Sequence, residues 1–222
     1  MQELSGFKQS KPVIAIDGTA ASGKGTLAKN LAKKINFDHL DTGILYRYLA
    51  YIKKTKNFSS IEDIKNYFFE NYSFENLDKK KLRNEEISKI SSHLAAKKEV
   101  RSFLLNFQRK FANNPPSRKG SVIDGRDIGT TVIPSADIKL YVDADLKIRA
   151  DRRFKELLNN QASKEEVLKA LKKRDFNDKN RKESPLVMAK DSILIDTSQL
   201  SPNQCLDRVL VIVKNVIKNI TN

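Results

Sequence analysis

The chain has 222 residues, 39% of them hydrophobic and 31% charged, and a formal net charge of +15. That length suits one sizeable α/β domain with room for a small inserted lobe, and no apolar run approaches the length of a membrane span. The positive charge fits polyanionic partners, free nucleotides as well as nucleic acid, and does not choose between them, because the lysines are spread along predicted helices without repeated aromatic interleaving.

Met1 to Ser10 lack the apolar core of a secretory signal, so residues 1–11 read as a loose tail, residues 12–222 as one domain, and the cytoplasm as the expected location. Val13 to Ile16 make a buried-strand run. A glycine-bracketed loop follows: Gly18, Thr19, Ala20, Ala21, Ser22, Gly23, Lys24, Gly25 and Thr26. Gly18 and Gly23 enclose four residues ahead of Lys24, a spacing at which backbone N–H groups curl around a di- or triphosphate while the lysine reaches the β and γ oxygens. The loop opens a helix whose apolar face is Leu27, Ala28, Leu31, Ala32 and Ile35, and the unpaired amides at its start favour a bound phosphate. The general pattern places Ser or Thr directly after the lysine to serve Mg²⁺; here Gly25 intervenes and Thr26 takes that part.

Phe37 to Asp41 form a second strand, Thr42 is placed as N-cap, and a helix runs from Ile44 to Lys54 with Arg47 near its start, at the carboxyl edge where open α/β sheets bind ligands. His39 reads as a surface or packing histidine. Residues 57–92 look like an insertion between core strands, with a helix from Ser60 to Phe69 capped by Ser60 and Asp63, a turn or hairpin from Tyr72 to Asn84, and a helix from Asn84 through Leu94. From Lys97 to Ala112 the residues Val100, Phe103, Leu104, Phe107 and Phe111 repeat at helical spacing, Arg101 sits beside that stripe, and Asn113 to Pro116 end the helix.

Gly120 to Asp127 is a buried strand that delivers Asp124, Arg126 and Asp127 at its carboxyl end, and a strand-end carboxylate such as Asp124 is the usual partner of a phosphate loop, holding Mg²⁺ through water. Ile138 to Val142 is the fourth strand. The helix from Leu146 to Asn159 carries Arg149, Arg152 and Arg153 on one face, and after a Ser163–Glu166 capping box a helix to about Asn180 leads Arg174, Asp178 and Arg181 along one side. Two arginine-bearing helices in succession suggest a lid, over residues 149–188, that closes on transferring phosphates. Ser192 to Asp196 is the fifth strand, and a capped helix from Ser201 packs Leu206, Val209, Leu210, Val213 and Ile217 inward, with the lone Cys205 as a small packing residue. Strands alternating with helices predict an α/β fold of three layers, a five-stranded parallel sheet with helices on both faces. Its core is residues 12–56, 93–148 and 189–222.

From Pro12 to the C-terminus the chain resembles the bacterial cytidylate (CMP) kinases, a nucleoside-monophosphate kinase family of the P-loop class. The matching blocks are Ile16 to Gly18 with Gly23 to Thr26, Leu40 to Arg47, Asp124 to Thr130, and Arg174-Asp175 with Asp178, Asn180 and Arg181. The resemblance implies phosphoryl transfer from ATP with Mg²⁺ to CMP and dCMP by a monomer with no obligate nucleic-acid or membrane partner. Carried over by position, Gly18 to Thr26 hold the ATP phosphates, Thr26 and Asp124 serve Mg²⁺, and Arg47 and Arg126 hold the acceptor phosphate. Thr42, Arg101, Asp127 and Arg181 take the cytosine, and Ser92, Arg174 and Asp178 reach the sugar. Lys24, Arg126, Arg152, Arg153 and Arg174 act in the transfer, with Arg152 and Arg153 as lid arginines. Thr42 stands where the family commonly has Ser, Asn177 where many members carry a basic residue, and the stretch 72–84 is shorter than the family's inserted hairpin. The alternatives are UMP or AMP kinase activity, or a basic P-loop module that binds RNA.

Overall fold

The computed structural model describes residues 11–58, 60–72, 78–82, 84–157 and 163–217. In chain order these form β1 (Val13–Gly18), α1 (Lys24–Ile35), β2 (Asp38–Asp41), α2 (Thr42–Lys56), α3 (Ile61–Asn71), α4 (Lys79–Leu82), α5 (Glu85–Ala95) and α6 (Lys98–Asn113). There follow β3 (Ser121–Asp124), a π-helical turn (Ile128–Val132), β4 (Ile138–Asp143), α7 (Leu146–Glu156), α8 (Lys164–Asn180), β5 (Ile193–Asp196) and α9 (Pro202–Val216). Among the described residues no helix is long and apolar enough to cross a membrane.

The five strands make one parallel sheet in the order β2-β3-β1-β4-β5, as the alternation of strands and helices predicts. β1 lies at its centre with all six residues buried, which is why its sequence is apolar without alternation up to Asp17. One face carries Ile14, Ile16, Val122, Leu140 and Val142 against α1 and α9, through Leu27, Leu31, Val209 and Val213. The opposite face carries Ala15, Leu40 and Ile123 against α2 and α6, through Leu45, Leu49 and Leu104. Off the carboxyl end of β1, α7 and α8 pack on each other and on Ala20 through Ala150, Val167 and Leu171. β2, β3, β4 and β5 all end in aspartate, at Asp41, Asp124, Asp143 and Asp196, so the carboxyl edge of the sheet gathers carboxylates beside the loop that follows β1.

Two local expectations are revised and one is made specific. Asp41, not Thr42, is the N-cap of α2: its Oδ1 accepts the Ile44 N–H at 3.2 Å, and Thr42 is the first helical residue, its hydroxyl donating to the Asp124 carbonyl at 2.8 Å. Between Tyr72 and Asn84 the expected turn or hairpin takes, in the described residues, the form of a single helical turn, α4; residues 73–77 and 83 of that stretch lie outside the described residues. Helix α7 ends at Glu156, and the last two residues predicted for it, 158 and 159, also lie outside them, as does the tail to residue 10. The capping boxes at Ser163 and at Ser201 form with both reciprocal hydrogen bonds, and Ser60 caps α3 by accepting the Asp63 N–H.

Candidate active site

The loop after β1 is fixed by close approach. A Cβ on Gly18 would lie 1.9 Å from the Val142 carbonyl oxygen of β4, so the strands meet there only because the side chain is absent. Gly23, the N-cap of α1, has φ +86, a left-handed backbone that turns the chain so that the first amides of α1 face the loop. Inside the turn the Ser22 hydroxyl donates to the Thr19 carbonyl at 3.0 Å, and the Thr19 hydroxyl donates to Asp143 Oδ1 at 2.5 Å. Lys24 reaches back over the loop, its Nζ donating to the Thr19 carbonyl at 3.3 Å. Burial, and then the charge of Arg126, lower its ammonium pKa to about 7 against the pull of Asp124 and Asp41. Thr26 is exposed on the first turn of α1.

Asp124, at the end of β3, is buried beneath that turn. Its Oδ1 is bound by His39 Nε2 at 2.7 Å, while Oδ2 lies 3.7 Å from the point where a Cβ on Gly25 would stand. Burial first and the neighbouring Asp41 second raise its pKa, and His39 acts in the opposite direction. Asp17, to which the sequence pattern assigns no role, is buried at the end of β1 and accepts two backbone N–H bonds, from Ile128 at 2.7 Å and Gly129 at 2.8 Å. It ties the strand that enters the phosphate loop to the π-helical turn that follows Asp127. Burial raises its carboxyl to about 6 in spite of those two bonds.

Opposite the loop stands a cluster of buried charges. Asp127 is held between Arg101, with which it makes a close ion pair, and Arg181, whose Nη2 donates to it at 3.2 Å. The Tyr46 ring lies 5.9 Å from the Arg101 guanidinium carbon. Arg126 Nε donates to Asp178 Oδ2 at 2.8 Å, and Arg174 Nε stands 4.0 Å from the same oxygen. Burial opposes the Asp178 charge, yet Arg126 and Arg174 hold its carboxyl below the ordinary range. Burial, and then Arg126, bring Arg174 down to about 10. Arg181 lies just beyond the last turn of α8, its Nε donating to the Ser184 carbonyl at 2.6 Å, so the predicted stripe of Arg174, Asp178 and Arg181 is helical only for its first two members.

The three arginines of α7 go to different partners. Arg149 is buried and donates to the carbonyls of Ala144 at 2.8 Å and Ala20 at 3.2 Å and to Asp175 at 2.6 Å, which links both α7 and α8 to the phosphate loop. Arg152 grips Thr197 beyond β5, at 3.0 Å on the hydroxyl and 2.6 Å on the carbonyl, and that hydroxyl donates to the Ser22 carbonyl at 2.8 Å. Arg153 pairs with Glu156 at 3.0 Å on the accessible side.

Two adjoining hollows meet at Arg174, Asp178 and Arg181. A cleft of about 270 Å³ brings together the phosphate loop from Ala20 to Thr26, Asp124, Arg126, Asp127 and Arg101, with Thr42, Arg47, Ser92 and Arg153 also on its wall. A second, of about 860 Å³, opens between α5 and α8. Of the predicted site residues, Gly18, Thr19 and Arg152 line neither hollow. Arg47 lines the cleft while donating to the Leu82 carbonyl at 3.1 Å and the Ser88 hydroxyl at 2.6 Å. Residues with a place here to which the sequence pattern gives no part in the site are Asp17, His39, Asp143 and Thr197, while Arg149, predicted on the lid's arginine face, is instead buried against the Ala20 and Ala144 carbonyls and Asp175.

A divalent cation fits beside Asp124. The carboxylate spends one oxygen on His39 and keeps the other toward Gly25, and Thr26 follows Gly25 on α1; these few hard oxygens suit a Mg²⁺ held chiefly by phosphates and water, since among the described residues no group of three or more His, Cys, Asp or Glu could hold a metal by itself.

Comparison with known proteins gives a consistent result. Residues 14–215 match the family model described as cytidylate kinase. The chain is 44% identical over 209 residues to the cytidylate kinase of Azorhizobium caulinodans, covering 91% of this chain and 98% of that protein. It is 45% identical over 193 residues to that of Bartonella tribocorum, covering 85% and 88%. Among solved structures it resembles an uncharacterized protein from Eubacterium ventriosum, with TM-score 0.56, 18% identity and coverage of 92% and 99%. An unliganded sugar kinase from Janibacter is similar at TM-score 0.51 and 11% identity, covering 96% and 99%, and these two likenesses concern the fold alone.

Proposed function

This chain belongs to the cytidylate kinase family and phosphorylates CMP with ATP as donor, and from that premise we propose which residues of the cleft carry the transfer and how. An oxygen of the CMP 5′-phosphate attacks the γ-phosphorus of ATP, the bond from that phosphorus to the β,γ-bridging oxygen breaks, and ADP leaves with the electron pair. No protein group need become covalently bound, so the protein's work is positioning and charge stabilisation.

The loop amides and Lys24 hold the β and γ phosphates. Arg126 and Arg174 face them from the other wall and neutralise the charge that spreads over the transferring oxygens, and Arg153 joins them as α7 and α8 close. Arg152 acts on the loop through Thr197 and Ser22. Asp124 and Thr26 would hold Mg²⁺, which when bound would supply charge screening of the polyphosphate. Helices α3–α5 form the monophosphate lobe, with Arg47 and Arg126 on the acceptor phosphate, and α7 and α8 form the lid. Asp127 receives the cytosine amino group while Arg101 and Arg181 donate to the base's acceptors. Thr42 stands beside the base, and Ser92, Arg174 and Asp178 meet the sugar.

The observation that carries this assignment is the convergence on one cleft of Lys24 with Arg126, Arg174 and the Arg101–Asp127–Arg181 cluster. A missing 2′-hydroxyl costs about 1–3 kcal/mol in such a site, so dCMP is a substrate. The relatives do not favour the UMP-kinase, AMP-kinase or RNA-binding alternatives. The test is ADP formation from ATP and Mg²⁺ with CMP, dCMP, UMP and AMP, run on the parent and on Arg126→Ala. CMP and dCMP should be used, UMP and AMP poorly, and Arg126→Ala should lose turnover while staying folded in the assay, with a lower denaturant midpoint because Asp178 loses its partner. Full turnover by Arg126→Ala, or equal use of CMP and UMP, would count against the assignment.

A further inference from the structure

His39 touches the cleft's metal carboxylate and has no part in the transfer described above. β2 and β3 run parallel with Asp41 opposite Asp124 and His39 opposite Val122, and Leu40 and Ile123 face the α2 side of the sheet. The two-residue period therefore turns His39, Asp41, Val122 and Asp124 to the other face, the one that α1 covers. From there His39 Nε2 meets Asp124 Oδ1 at 2.7 Å. The imidazole is 22% exposed and the carboxylate 4%, so the contact is made at the inner end of the histidine. Among the described residues His39 provides the hydrogen bond to this carboxylate, and the Thr42 hydroxyl secures only the Asp124 main chain. With Oδ1 engaged, Oδ2 is left on the side of Gly25, beneath the first turn of α1.

We propose that His39 is a positioning residue for the metal: with its proton on Nε2 it donates to Asp124 Oδ1 and so fixes the carboxylate with Oδ2 turned toward the phosphate loop and the water shell of Mg²⁺. The inference rests on the assignment of Asp124 to Mg²⁺. A partner that orients a metal carboxylate commonly changes metal affinity by about 10–100-fold when removed, and a carboxylate acting through water lies at the lower end of that range. Packing alone would be supplied equally by leucine. Glutamine places an amide N–H near the position of the histidine Nε2–H, so it keeps the hydrogen bond without the ring.

The experiment compares the parent, His39→Leu, His39→Gln and Asp124→Asn. Mn²⁺ binding to the enzyme–ADP complex is read by electron paramagnetic resonance, and the Mg²⁺ concentration for half-maximal velocity and the KM for CMP are measured beside it. His39→Leu should weaken Mn²⁺ about tenfold and raise the Mg²⁺ requirement, leave the KM for CMP within about twofold, and be largely rescued in His39→Gln. Asp124→Asn should weaken Mn²⁺ at least as much. Unchanged Mn²⁺ affinity in His39→Leu beside a loss in Asp124→Asn would overturn the role of His39 and leave that of Asp124 standing. Equal losses in His39→Leu and His39→Gln would overturn it in favour of a role of the imidazole ring other than this hydrogen bond. Unchanged affinity in Asp124→Asn would remove the Asp124 assignment and the proposal with it.

Discussion

Binding of ATP at about pH 8 should draw a proton from solution, and Lys24 should be its destination. Burial and Arg126 lower the Lys24 ammonium to about 7 in the ligand-free protein, so near pH 8 only a tenth or so of the molecules carry the charge. A polyphosphate lying against Nζ favours the charged form and returns the pKa toward the ordinary lysine range. The difference is an uptake of about 0.9 proton near pH 8, falling to about 0.1 near pH 6, where the ammonium is already formed. Isothermal titration calorimetry of ATP binding, without acceptor and in two buffers of different ionisation enthalpy, reads this number directly. Lys24→Met should remove the uptake near pH 8 along with most of the turnover, and should stay folded, because the ammonium faces the loop and not a core. An uptake that is the same at both pH values, or the same in Lys24→Met, would refute the reasoning.

At the base, cytosine offers an amino donor where uracil offers an oxygen, so CMP should exceed UMP by on the order of 10⁴-fold in kcat/KM. Asp127→Asn should narrow that ratio, because an amide can turn its donor to the uracil oxygen; kinetics with both nucleotides check this, and a ratio left untouched would contradict it. Asp17→Asn leaves one of the two buried N–H groups of Ile128 and Gly129 without an acceptor, at a cost of about 1–3 kcal/mol. Since folding raises Asp17 from 3.8 to about 6, its stabilising share is complete below the unfolded-state value and is lost as pH rises through about 6. The parent's urea midpoint should therefore fall from pH 4 to pH 7 by more than that of Asp17→Asn, which lacks this titration. Gly18→Ala would drive a Cβ to 1.9 Å from the Val142 carbonyl oxygen, and should lower stability by roughly 3 kcal/mol or more; a urea midpoint equal to the parent's would show that β1 and β4 can part.

The phosphate loop was legible because its chemistry is local: a buried strand, two glycines at a set spacing and a lysine lie within a dozen residues. The five-strand sheet was legible from alternation, since parallel strands require helical crossovers. His39 was not. The two-residue period places it on one face with Asp41, but that this face meets Asp124 depends on β3 entering the sheet between β2 and β1, and nothing near residue 39 encodes the neighbour. Asp17 is hidden for a similar reason, as its partners are main-chain amides 111 and 112 residues away that any side chain would leave unmarked. The cap of α2 illustrates a different limit. Asp41 and Thr42 are both good caps, and the Asp124 carbonyl across the strand gap claims the threonine hydroxyl. The arginines of α7 share a helical side in sequence, but long side chains let Arg149, Arg152 and Arg153 reach three separate anchors.

The pair of hydrogen bonds from Asp17 to the π-helical turn has a bearing on how such a protein can change. Through them the strand leading into the phosphate loop and the segment that carries Arg126 and Asp127 are tied into one piece across β1 and its neighbour β3, and in the proposed assignment these hold donor and acceptor. The spacing between the two phosphates to be joined is then a property of the sheet. In the assignment proposed above, base recognition draws Arg101 from α6 and Arg181 from the end of α8, both outside that piece. Substitutions at these two positions can retune which base is accepted while the distance over which the phosphoryl group travels is inherited unchanged.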